Sequence, residues 1–179
     1  MKQFAISIIS ALALCTIQGA VNAADMGTPA DLNDLEITHV AYTADNIDIR
    51  YAHLALAIST NPDIHVFANT MIRDHTAVND QALALLAKLQ AQPQDNFLSK
   101  ALLEAAQDQI NIMSELRGAA FDKAYAINEL AYHKAVNDLV ANSFIPNIEN
   151  VEVKTLFEAG LEIFTAHENH ASMMVKMLK

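Results

Sequence analysis

Tryptophan is absent from this 179-residue chain, and glycine and proline occur only four times each. So few turn formers argue against a fold of many short strands, and against collagen-like or low-complexity repeats. Cysteine occurs once, at Cys15, so the chain cannot hold an internal disulfide and must rely on its core. Basic residues are scarce as well: 11 Lys and Arg stand against 21 Asp and Glu, for a net charge of −10. Nucleic acid and anionic lipid are poor partners for such a chain, because both need clustered Lys and Arg. There is no Gly-rich phosphate loop, no Gly-x-Ser-x-Gly elbow and no His-Glu-x-x-His pair. What is abundant is apolar: 53% of residues are hydrophobic and 18% charged, which excludes disorder and leaves enough material for one packed domain.

The chain opens with Met1-Lys2, an apolar run from Phe4 to Ile17, and the small-x-small triplet Val21-Asn22-Ala23. This pattern predicts a secretory signal peptide over residues 1–23, cut after Ala23, with the domain proper over 24–179. The alternative is a membrane anchor, but the run is shorter than the roughly 20 residues that a span needs. Leu14, preceding Cys15, is larger than the residue a lipoprotein signal requires at that place. The expected location is the periplasm or another exported compartment, with no membrane span left after cleavage.

The remainder predicts an all-α fold. Apolar residues recur every three or four positions in four long segments, about 31–59, 62–91, 119–143 and 150 to the C-terminus. A shorter helix is expected over about 99–114. Asn61-Pro62, Gln92-Pro93, Gly118 and Ile145-Pro146-Asn147 separate them. Short links make the first two and the last two long helices antiparallel hairpins. Nearly thirty residues between the second and third allow a crossover that leaves those two parallel. This arrangement is a ferritin-like four-helix bundle, two antiparallel hairpins joined by a long crossover containing a short helix.

Polar residues that interrupt the apolar stripes are the informative ones. Asp48 interrupts the first, His75 the second, Glu129 and His133 share a face of the third, and His167 and His170 fall on the stripe Val153, Leu156, Gly160, Ile163, His167, His170, Met174. Heights can be reckoned from the turns. Asp48 and His75 are equidistant from the Asn61-Pro62 link, and Glu129 and His167 differ by about two residues around Asn147, roughly 3 Å at 1.5 Å per residue. The two hairpins therefore place their polar residues at a common level, in one interior cluster of Asp48, His75, Glu129, His133, His167 and His170. Imidazole and carboxylate gathered in a bundle interior suit a divalent transition metal. Two other readings remain open, a hydrogen-bonded structural network without metal and a site for a different ligand. Asp74 and Glu168 read as solvated, His39, His53 and His65 as surface or helix-end residues, and Met173, Met174 and Met177 as packing rather than a copper(I) site.

Several runs carry a resemblance. They are Phe67-Ala68-Asn69-Thr70-Met71-Ile72-Arg73-Asp74-His75-Thr76-Ala77-Val78-Asn79, Gly118-Ala119-Ala120-Phe121-Asp122-Lys123-Ala124-Tyr125, Ala131-Tyr132-His133-Lys134-Ala135-Val136, Ile145-Pro146-Asn147 and Ala166-His167-Glu168-Asn169-His170-Ala171, with Asn46-Ile47-Asp48-Ile49 in the first helix. Together they resemble the exported bacterial family called domain of unknown function 4142. The resemblance covers essentially the whole chain after residue 23. It implies a ferritin-like four-helix domain of the periplasm or outer membrane and no established activity. Asp48, His75, Glu129, His133, His167 and His170 match that family's polar pattern. The chain departs from it at Asn128, where a further histidine is common, and at Arg50, where an acidic residue is.

Di-iron carboxylate proteins use a Glu from each of two helices and Glu-x-x-His from the other two; in this chain that spacing occurs at Glu36 to His39, whose histidine reads as a surface or helix-end residue, and not among the clustered residues. Its set is rich in imidazole and poor in carboxylate, which suits one zinc, copper, nickel or iron ion better than an oxygen-bridged pair. The expected function is binding or sensing of one metal ion at mid-bundle, with catalysis disfavoured. The alternative is a structural or protein-interaction module of the cell envelope with a buried polar network and no metal.

Overall fold

The computed structural model describes residues 27–178, and the signal-peptide reading of residues 1–23 lies outside them. Among the described residues the fold is all-helical, without strands. A short 3-10 turn, Pro29–Asp31, leads into α1 (Asp34–Ile58), followed by α2 (Pro62–Lys88), α3 (Phe97–Ser114), α4 (Gly118–Leu139) and α5 (Val151–Met177). Asparagine opens four of the five helices. The side chains of Asn33, Asn61, Asn96 and Asn150 each accept from backbone N–H groups of the first turn, satisfying donors that a helix start otherwise leaves unpaired. The start of α4 has no such side chain. Gly118 takes a φ of +55° there, a conformation that other residues rarely adopt. At its far end α4 widens into a π-turn, Val140–Phe144, which carries Phe144 into the core ahead of Pro146.

Hydrogen bonds between elements fix the directions. The three-residue link Ser59–Asn61 turns α2 back along α1. Asn96 Nδ2 donates to Glu36 O at 3.0 Å, and Arg50 Nη2 donates to Gln107 Oε1 at 2.8 Å, so α3 returns parallel to α1. Ser59 Oγ donates to Asp122 Oδ1 at 2.6 Å and Tyr132 OH to Ala44 O at 2.9 Å, so α4 descends alongside α1 in the opposite sense. The Asp34 carboxylate accepts from Glu149 N and Asn150 N at 3.1 and 2.8 Å, which sets the start of α5 beside the start of α1. The two helices on either side of the crossover, α2 and α4, therefore run the same way, as the link lengths predict. No helix of the described residues is long and apolar enough to cross a membrane.

Buried apolar side chains form two clusters. One holds Tyr51, Ile64, Phe67, Met71, Phe121, Tyr125 and Met174. The other holds Ile37, Val40, Val140, Phe144, Val153 and Phe157. Where the two clusters meet, each long helix contributes buried polar residues: Asp45 and Asp48 on α1, His75 on α2, Glu129 and His133 on α4, and His167 on α5.

The buried stripe of α5 differs from the expected one. It reads Val153, Phe157, Gly160, Phe164, His167, Ala171, Met174, while Ile163 is 38% exposed. Both stripes share residues 153, 160, 167 and 174 and differ by one position in between. Burying two phenylalanines removes more apolar surface from water than burying Leu156 and Ile163, and that decides the helix's rotation. Gly160 is the weak point of this stripe. A Cβ added there would meet Phe164 Cε2 at 3.6 Å, an ordinary contact. Gly160→Ala is therefore expected to stabilise the fold by about 0.5–1 kcal/mol through the lower backbone entropy of alanine in a helix interior, read as a higher urea midpoint with unchanged slope.

Candidate metal centre

The apolar periodicity of each helix turns its polar exceptions inward, and the directions of the helices bring them level. His75 Nε2 lies 3.5 Å from Asp48 Oδ2, and His133 Nε2 lies 3.4 Å from the same oxygen. The three imidazoles lie close together with tilted or edge-on planes, the ring centres of His75, His133 and His167 separated by 5.3 to 5.7 Å. One ring nitrogen from each of the three lies within 4.8 Å of the others. Asp48, Glu129 and His133 form a second such group, sharing His133 with the first. Asp48 and Glu129 are fully buried, and His75, His133 and His167 are 4% exposed or less.

Each imidazole is held through one nitrogen. His75 Nδ1 pairs with Asp45 Oδ1 at 2.7 Å, His133 Nδ1 with the Glu129 backbone carbonyl at 2.9 Å, and His167 Nε2 with Asp74 Oδ2 at 3.0 Å. All three partners are acceptors, so each of these nitrogens is the N–H of its ring. The opposite nitrogens, His75 Nε2, His133 Nε2 and His167 Nδ1, have no hydrogen-bond partner, nor has either oxygen of Asp48 or of Glu129. Unpartnered buried polar atoms are costly. Seven of them belong to these five residues, with others at His39, Asn79, Tyr125, Asn128 and Asn137.

The protonation balance matches. Burial lowers the affinity of His133 for a proton, outweighing the Asp48 charge, and burial pushes His167 down to about 4. At His75 burial also pulls downward, but the Asp48 charge, the Asp45 hydrogen bond and the charges of Asp45 and Asp74 outweigh it and hold the ring above its ordinary value. The same negative field would favour a metal ion at Nε2 in place of a proton. Burial, reinforced by the Asp48 charge, holds the Glu129 carboxyl well above the usual carboxylate range.

Of the six residues singled out in the sequence, the structure thus brings together Asp48, His75, Glu129, His133 and His167. His170 joins neither group; it packs edge-on against Phe67 with ring centres 4.9 Å apart, because the α5 stripe passes through Ala171 instead. Two residues expected in solvent have partners. Asp74 receives His167 as well as Arg73, and Glu168 Oε2 accepts from Asn137 Nδ2 at 3.0 Å. Asp45 was not foreseen. Its signal is its place three residues before Asp48, on the same helix face. His65 Nε2 caps the end of α1 at the Ser59 carbonyl, 2.7 Å away, and Met174 lies in the apolar core, both as expected.

A family model described as "Domain of unknown function (DUF4142)" matches residues 19–174. No match was found among curated proteins or among solved structures.

Proposed function

The chain belongs to that family, and on this premise we propose that it is an exported, periplasmic, ferritin-like four-helix bundle that binds one divalent transition-metal ion. The donors are His75 Nε2, His133 Nε2, His167 Nδ1 and the Asp48 carboxylate. One observation carries the reading: three imidazoles, each held by a hydrogen bond at one nitrogen, bring one ring nitrogen apiece within 4.8 Å of one another, and the buried Asp48 carboxylate stands against the Nε2 atoms of two of them. An outer acceptor on the non-ligating nitrogen is the usual companion of a histidine ligand. The spacing supports it. Donors at about 2.0–2.1 Å from a tetrahedral ion lie roughly 3.3 Å apart, and Asp48 Oδ2 stands 3.5 and 3.4 Å from two of the imidazole nitrogens. Three imidazoles and one carboxylate match zinc, copper, nickel or iron chemistry. Four protein donors fill a tetrahedral shell and leave no vacant position, so retention or sensing of the ion fits better than turnover.

A structural network without metal is the competing role. A network that fixes the helix register should satisfy its members, and the unpartnered nitrogens and oxygens here argue against it. Metal titration of the chelator-stripped chain decides between them. The proposal expects saturation at one ion per chain and a melting temperature that chelator lowers again. No uptake, with a melting temperature indifferent to chelator, leaves the network.

The role of Asp45 is separately testable. Asp45→Ala removes the acceptor on His75 Nδ1 and frees the ring to rotate. Metal affinity is expected to fall by about 10- to 100-fold while stoichiometry is kept, with partial recovery in Asp45→Asn, whose amide oxygen still accepts. Isothermal titration of the three proteins measures it, and equal affinities would remove Asp45 from the account.

A further inference from the structure

On the side of the polar layer facing Ile37 and Phe144, the helices border a narrow, partly open cavity of about 40 Å³. Its walls include Ala41, Val78, Ala82, Val136, Gly160 and Phe164, with Thr38 and Asp45 among the few polar residues at its edge. Both are already engaged with the protein. Thr38 Oγ1 donates to Asp34 O at 2.6 Å, and Asp45 Oδ1 is taken by His75. A water molecule needs two or more polar partners to stay in a cavity, whereas apolar cavities of this kind remain dry and admit apolar guests.

We propose that this cavity is a binding site for one small uncharged apolar molecule, a gas or a short alkyl compound, seated against the Phe164 ring. The volume sets the size class, since it matches a guest of one to a few heavy atoms and excludes an aromatic ring. The position sets the consequence. Phe164 forms part of the cavity wall and is stacked on His75 at 4.6 Å with the planes 8° apart. An occupant therefore touches the ring that touches His75, and borders Asp45, the carboxylate that holds His75 Nδ1. The site does not depend on metal being bound.

Xenon is the probe. Methyl and histidine ring resonances of the chain are followed by NMR under rising xenon pressure, in the presence of chelator. The expected result is a saturable shift confined to Val78, Val136 and other cavity methyls, accompanied by a smaller shift of the His75 ring. Ala82→Leu fills the space and should abolish the saturable component, and Val136→Phe does so from the opposite wall if the first variant folds poorly. Absence of saturation in the wild-type chain, saturation elsewhere, or equal saturation in a folded filled variant would each overturn the proposal. None of these outcomes bears on metal uptake, which is measured separately.

Discussion

Replacing both His133 and His167 by alanine is expected to abolish metal retention. Each imidazole supplies a donor whose tautomer is fixed by its neighbour, and two of four donors then disappear. Loss of an outer partner alone weakens a metal site by about 10- to 100-fold, so loss of two ligands should exceed that range by a wide margin. In the wild-type chain, free metal at about 1,000 times Kd would add roughly 4 kcal/mol of stability, near 10 °C in melting temperature for a domain of this size. The double variant should show no such rise. Elemental analysis of both proteins after zinc, copper and iron loading, with melting curves beside it, makes the comparison. If the two proteins retain equally little metal, the centre is not a metal site.

Phe67→Ala is expected to be the most damaging single core change. The ring is fully buried and meets Tyr125 and His170 edge-on, at 6.1 and 4.9 Å between centres. It joins α2 to both α4 and α5. Removing a buried phenylalanine costs about 3–5 kcal/mol, from lost transfer energy and the cavity left behind. Urea denaturation should therefore show a much lower midpoint with little change in slope. Because Phe67 lies in the apolar cluster and outside the polar layer, metal stoichiometry below the melting transition should be unchanged. A loss under about 1 kcal/mol would mean that the helices close around the gap.

Much of this architecture is legible in the sequence because two simple periodicities govern it. Asn61-Pro62 and Asn150 mark the starts of α2 and α5 and both cap there, whereas Asn33 and Asn96 cap α1 and α3 a few residues from the expected starts at about 31 and 99. Equal distance from a tight turn sets equal height in an antiparallel pair, which is why Asp48 and His75 meet. The polar layer follows from the same reckoning applied to Glu129, His133 and His167. What periodicity leaves ambiguous is rotation about a helix axis. On α5 the stripes through Ile163 and through Phe164 are equally regular, and only the bulk buried against the other helices selects the second. That choice turns His170 toward Phe67. The supporting carboxylates are harder still, because reach rather than spacing brings them in. Asp74 sits beside His75 in the chain, yet it crosses to α5 and meets His167. Asp45 requires knowing that His75 meets two carboxylates of α1, Asp45 at Nδ1 and Asp48 at Nε2.

The four proposed donors each come from a different long helix, Asp48 from α1, His75 from α2, His133 from α4 and His167 from α5. An ion held by them would cross-link segments that stand far apart along the chain, with α3 and both connecting turns enclosed in the resulting loops. In the unfolded chain such loops must be closed against their entropy before a second ligand can bind. The ion would therefore distinguish the assembled protein from every partly assembled one, and its binding energy would appear as folding energy. A chain emerging into a compartment poor in metal would then be less stable than the same chain in a compartment that supplies it, with no change in any residue.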